Sequence, residues 1–151
     1  MLRSRIIPCL LVQKGGLVKT KKFRYYKYLG DPLNAVRIFN EKQVDELIVL
    51  DIDATVKNNE PDYNLIKNLA LECRMPLCYG GGITTSSQIE KLISLGIEKV
   101  AISSAAIGSL DIIRKSVKRV GSQSIAVVMD IKKSGLFNNY RIYTHNGLKK
   151  T

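Results

Sequence analysis

Five short apolar runs recur along this chain, and between them lie stretches whose apolar residues fall at helical spacing. The runs are Ile6–Val12, Glu46–Ile52, Pro76–Tyr79, Lys99–Ile102 and Ser124–Asp130. Successive side chains of a strand point to opposite faces. A near-continuous run such as Leu47-Ile48-Val49-Leu50 therefore suits a parallel strand buried on both faces. Asp31-Pro32 is a helix start, a capping carboxylate followed by a residue whose fixed φ suits the first turn. Leu33, Val36, Phe39 and Val44 then trace one face. Leu65, Leu69 and Cys73 do the same in a second helix, and Ile89, Leu92 and Ile93 in a third that Gly96 closes. A fourth runs from about Ser109 to Val120 and stops at Gly121.

Strands alternating with helices imply right-handed βαβ units and a parallel sheet. Past Asp130 the pattern changes, and Leu136 to Thr144, with Asn138-Asn139 as the turn, reads as a β-hairpin. With 151 residues and no shift in composition, the chain reads as one domain over residues 1–151. Two architectures accommodate five strands and four helices. A doubly wound sheet reverses its strand order at a switch point. A (βα)8-barrel needs about 250 residues, of which this chain supplies a little over half. Polar residues at the carboxyl ends of the strands favour the partial barrel: Asp51 and Asp53, Gly80 to Gly82, Ser103 and Ser104, and Asp130. Such groups would share one top-face site.

The loop Tyr79-Gly80-Gly81-Gly82-Ile83 joins a strand to a helix. Glycines there let an anion approach backbone N–H groups, and the following helix adds the positive end of its dipole. A tight turn is the plainer reading of the same residues. The net charge of +11 suits an acidic or phosphorylated partner. It gathers in Lys14, Lys19, Lys21, Lys22, Arg24 and Lys27, in a Gly- and Tyr-containing loop, and in Lys132, Lys133, Arg141, Lys149 and Lys150. No nucleic-acid motif accompanies these charges, so nucleic acid is not the expected partner. Cys9, Cys73 and Cys78 are odd in number and lack CxxC spacing. Reduced thiols in a cytoplasmic protein are expected, with no metal site and no cofactor. No apolar stretch approaches the roughly 20 residues that span a bilayer, and no signal peptide is read at the N-terminus.

Arg5-Ile-Ile-Pro-Cys-Leu10, Gly30-Asp-Pro32, Asp45-Glu-Leu47, Leu50-Asp-Ile52, Gly80-Gly-Gly-Ile83, Lys99-Val100 and Gly121-Ser-Gln123 stand in one order along the whole chain. Together they resemble the cyclase subunit of imidazole glycerol phosphate synthase, a (βα)8-barrel of histidine biosynthesis, in its N-terminal part through strand five and its hairpin. The resemblance implies a glutaminase partner that supplies ammonia and a phosphorylated small-molecule substrate. It implies a catalytic aspartate at Asp130, phosphate binding by Gly81, Gly82, Ser103 and Ser104, and substrate contacts from Lys19 on a mobile first loop and from Asp51. Arg5, Glu46 and Lys99 would ring the ammonia entrance at the opposite end of the barrel. The pattern departs at Leu11, where the family carries its strand-one aspartate. A carboxylate can shuttle a proton and an isobutyl group cannot. A branch with an apolar residue there, found with surface-polysaccharide genes, is thought to supply ammonia for sugar amidation, and Cys9 to Thr20 is closer to that branch. On the plainer readings, Asp51 and Asp130 are hydrogen-bonded strand ends, and Arg5, Glu46 and Lys99 are ordinary surface charges.

Overall fold

A computed structural model describes residues 3–21, 24–134 and 139–151. Five strands lie parallel: β1 (Cys9–Gln13), β4 (Leu47–Asp51), β5 (Leu77–Gly80), β6 (Lys99–Ile102) and β7 (Ile125–Val127). Between β1 and β4 the chain forms β2 (Gly16–Lys21) and β3 (Arg24–Gly30), an antiparallel hairpin extending the sheet beyond β1. The sheet order is β3-β2-β1-β4-β5-β6-β7. The parallel strands thus follow one another in chain order with no reversal, as in a partial (βα)8-barrel and unlike a doubly wound sheet.

The expected helices form where their caps dictate. In α1 (Pro32–Glu41) the Asp31 carboxylate accepts from the Asn34 N–H at 3.1 Å, and in α3 (Tyr63–Glu72) Asp62 accepts from the Leu65 N–H at 3.0 Å. A reciprocal capping box of Thr85 and Gln88 opens α4 (Ser86–Ser94), and α6 (Asp111–Val120) ends at Gly121. Two short helices were not legible beforehand: α2 (Ala54–Lys57) and α5 (Ser104–Gly108).

One face of the sheet is sealed by helices. Val12, Leu47, Val49, Leu77, Tyr79, Val100 and Ile102 pack there against Val36, Ile66, Leu69, Ile89, Leu92 and Ile112, all buried. The opposite face carries residues in register across the strands. One row is Cys9, Ile48, Cys78 and Lys99; the next is Leu11, Leu50, Gly80, Ala101 and Ala126. Small residues in the second row admit Leu50, since a Cβ on Gly80 would stand 2.8 Å from its Cδ2. This face is only partly covered, with Cys9 exposed and Leu11, Leu50 and Ala126 half-buried.

The closing hairpin begins earlier than its sequence suggests. β8 (Asp130–Ser134) pairs antiparallel with β9 (Asn139–Thr144), and β10 (Lys149–Lys150) adds a third strand. Asp130 opens that separate sheet and does not end strand five, which stops at Val127. The expected hairpin start at Leu136 and its turn residue Asn138 lie outside the described residues, as does Lys22.

Candidate functional site

At the carboxyl ends of β4, β5 and β6 opens a cavity of about 860 Å³. Its wall includes Leu11, Asp51, Gly81, Gly82, Ser103, Ser104, Asp130 and His145. Six of the expected site residues therefore converge from four separate elements, though the most distant pair is 79 positions apart in sequence (130 − 51). Strand ends on one side of a parallel sheet bring this about, because each strand delivers its last residue to the same edge.

Asp51 is held by the turn it initiates. Its Oδ1 accepts from the N–H groups of Asp53 at 2.9 Å and Ala54 at 3.1 Å. Burial nevertheless pushes its carboxyl above the ordinary value, and the two amide hydrogen bonds only partly offset this. Asp53 goes the other way. Burial acts upward on it, but the Lys57 ammonium and the Gln13 amide, the latter at 2.9 Å, outweigh that and hold it low. Asp130 is half-buried, and burial pushes its carboxyl up.

The glycine loop is packed from beneath. Gly81 has φ +121° and Gly82 φ +71°, and a Cβ on Gly81 would strike the backbone carbonyl oxygen of Asp51. On Gly82 it would stand 2.6 Å from the Asn59 carbonyl oxygen. The expectation that the next helix lends its dipole to this loop is corrected by the structure. Ile83, Thr84 and Thr85 intervene, and Thr85 Oγ1 accepts from the Gln88 N–H at 3.2 Å while Gln88 Oε1 accepts from the N–H groups of Thr84 and Thr85. The Gly82 N–H is also engaged, donating to Thr55 Oγ1 at 3.2 Å. Ser103 is the N-cap of α5 and its hydroxyl makes no capping bond, so both serine hydroxyls line the cavity with donors to offer.

Lys19 is not brought to this wall. It is exposed on β2, paired with Lys27 of β3, whereas its neighbour Thr20 lines the cavity. Strand alternation puts Thr20 and Lys19 on opposite faces of β2, which pairs with β3 through register shifts at Leu17/Val18 and Lys19/Lys21.

At the other end of the same strands, Arg5, Glu46 and Lys99 come together. Glu46 is only 4% exposed; its Oε1 accepts from Lys99 Nζ at 2.7 Å, and its Oε2 lies 3.7 Å from Arg5 Nη1. A carboxylate this buried is costly unless paired, which sets these three apart from scattered surface charges.

Sequence reasoning gave His145 no role, yet it lines the cavity. His145, Asn146 and Gly147 all have positive φ, and Asn146 Nδ2 donates to the Ile52 carbonyl at 2.7 Å. The Asn-Gly pair is a turn signal that could have marked this tight bend, though not where it docks. Among the described residues no cluster of three or more His, Cys, Asp or Glu side chains could hold a metal, and no helix is long and apolar enough to cross a membrane.

Residues 5–151 match the family described as histidine biosynthesis protein. A Leptospira borgpetersenii protein provisionally named imidazole glycerol phosphate synthase subunit HisF is 56% identical over 151 residues, covering 100% of this chain and 59% of its own length. One from Vibrio vulnificus, provisionally named as subunit hisF3 of the same synthase, is 56% identical over 150 residues, 99% of this chain and 58% of its own. The imidazole glycerol phosphate synthase subunit HisF of Dehalococcoides mccartyi is 35% identical over 151 residues, again 100% and 59%. The chain thus spans about 59% of the length of these relatives.

Proposed function

The chain belongs to the histidine biosynthesis protein family, and from that premise we propose that it works as a cyclase-type subunit of imidazole glycerol phosphate synthase. In this reading it accepts ammonia from a glutaminase partner and uses it to aminate a phosphorylated, sugar-type substrate. One observation carries the reading. A cavity with Asp51, Asp130, Ser103 and Ser104 on its wall lies at the carboxyl ends of the parallel strands, and the Arg5–Glu46–Lys99 cluster lies at their other ends. Between the two runs a face of small and apolar side chains, Cys9, Ile48, Cys78, Leu11, Leu50, Gly80 and Ala101. An uncharged ammonia molecule can traverse such a surface, while ammonium would have to shed its hydration.

Phosphate binding falls to the Gly81 N–H, the Ser103 and Ser104 hydroxyls and the opening of α5, with Gly82 keeping the backbone close. Asp130 is the acid/base group.

A second reading is favoured by Leu11, which occupies the cavity wall where the resemblance calls for a carboxylate. There the subunit delivers ammonia for sugar amidation in surface-polysaccharide synthesis and closes no imidazole ring. The separating experiment is an assay with ammonium and the phosphoribulosyl aminoimidazole carboxamide ribotide, run on the chain and on Leu11→Asp. Turnover by the unsubstituted protein supports the cyclase reading. Turnover only in Leu11→Asp supports ammonia delivery with an otherwise intact site, and turnover in neither sinks the cyclase reading.

A further inference from the structure

The cavity faces a chemical difficulty that its residues partly answer. Joining ammonia to a carbonyl carbon leaves a proton on nitrogen that some base must remove. The resemblance would put a carboxylate at position 11, but Leu11 cannot serve. The titratable groups on the cavity wall are Asp51, Glu60, Asp130 and His145. Asp51 has its Oδ1 committed to two backbone amides, and Glu60 is exposed and accepts from Gln88 Nε2 at 3.4 Å.

His145 is held in a way that fixes which ring nitrogen is basic. The Thr144 side chain is buried, and its hydroxyl donates to the Lys149 carbonyl at 3.4 Å. A hydroxyl has one proton to give. With that proton directed to Lys149, Thr144 Oγ1 accepts from His145 Nδ1, 3.0 Å away, and this arrangement places the hydrogen of the neutral ring on Nδ1. Nε2 is left with its lone pair and makes no hydrogen bond among the described residues. The ring's backbone is pinned as well. His145 has φ +54°, its carbonyl accepts from the Leu148 N–H at 3.1 Å, and neighbouring Asn146 is tied to the end of β4. On its own hairpin, Lys149 pairs in register with Thr144.

We propose that His145, through Nε2, is the proton acceptor of this cavity, taking the proton released by an ammonia nitrogen as its C–N bond forms. The proposal rests on the amination reading above. The nitrogen lone pair attacks the carbonyl carbon, and the carbonyl π pair moves to oxygen, which takes a proton from the Asp130 carboxyl. The cationic nitrogen gives its extra proton to Nε2. A neutral carbinolamine, an imidazolium and a carboxylate remain, so charge and atoms balance. The upward push of burial on Asp130 is the direction a proton donor needs.

The chain contains a single histidine, so its imidazole nitrogens give one unambiguous set of NMR signals. With the ring neutral, ¹⁵N spectra are expected to show Nδ1 protonated and Nε2 bare, with Thr144→Val moving the ring toward Nε2–H. A wild-type neutral ring protonated on Nε2 would overturn the proposal. In the ammonium assay, His145→Gln should lower kcat about 10²-fold or more with KM little changed. Wild-type turnover that His145→Gln leaves intact would overturn it too. If the wild-type chain has no turnover, the amination reading falls, and the tautomer measurement alone decides whether His145 is built as a base.

Discussion

Gly81 shows how much one missing side chain can matter. Its φ of +121° is strained for any L side chain, and an added Cβ would meet the carbonyl oxygen of Asp51, a rigid backbone atom. Gly81→Ala should therefore cost about 2 kcal/mol or more in denaturant unfolding, from backbone strain together with overpacking. Asp130 makes a different prediction. Its carboxyl is raised in the folded chain, so the fold holds that proton more tightly than the unfolded chain does. The resulting stability is full below the ordinary carboxylate value of 3.8 and is lost as pH rises through the folded value. Asp130→Asn removes this dependence, so unfolding measured from pH 3 to 7 should fall less with rising pH in the variant. A parallel slope in both proteins would show that Asp130 is not strained by burial. Asp53 has the opposite sign: its stability is present above the unfolded pKa and lost as pH falls through the lowered one.

Among the elements, the strand starts that hold Arg5, Glu46 and Lys99 are the most tightly specified. Glu46 immediately precedes β4 and Lys99 opens β6, with β5 between them. Glu46→Gln keeps the shape but leaves the ammonium of Lys99 without its counter-charge. A fully buried pair broken this way costs about 3–5 kcal/mol. Here Lys99 is 35% exposed and Arg5 63%, so solvent screening should reduce the loss to about 1–2 kcal/mol. Equilibrium unfolding of Glu46→Gln, Lys99→Met and the double variant would measure the coupling, and simple additivity would show that the contact is not energetically shared. The same cluster also bears on Cys78. Burial foremost, with the Glu46 charge, pushes its thiol up to about 11, so it should resist alkylation in the native protein at pH 8.

For the whole molecule, the decisive fact is that one face of the sheet is sealed and the other is not. β3 and β7 terminate the sheet, and Val127, Met129, Ile131 and Leu148 are exposed at 45%, 51%, 59% and 66%. Unpaired strand edges and contiguous apolar surface favour association. Light scattering of this chain should give a mass that rises with concentration, accompanied by binding of an apolar dye. A monodisperse monomer across the micromolar range would contradict this.

The sequence alone determined the parallel strands, the long helices and their ends, because these are local signals. Apolar runs of strand length, Asp31-Pro32 and the Gly96 and Gly121 stops each act within a few residues. The convergence of Asp51, the Gly81 loop, the serines and Asp130 was also legible, through a resemblance carried by motifs spread along the chain. What the sequence withheld depends on contacts across long separations. The β2–β3 pairing lies in a basic, tyrosine-rich segment whose polar composition reads as loop, and only pairing to β1 makes it sheet. The capping of α4 by Thr85 and Gln88 diverts the helix end from the glycines, which a glycine count cannot reveal. His145 joins the cavity because Asn146 reaches Ile52 from 94 residues away. Local chemistry fixes which segments become strands and helices. Tertiary packing decides which side chains, far apart in the chain, come to share one wall.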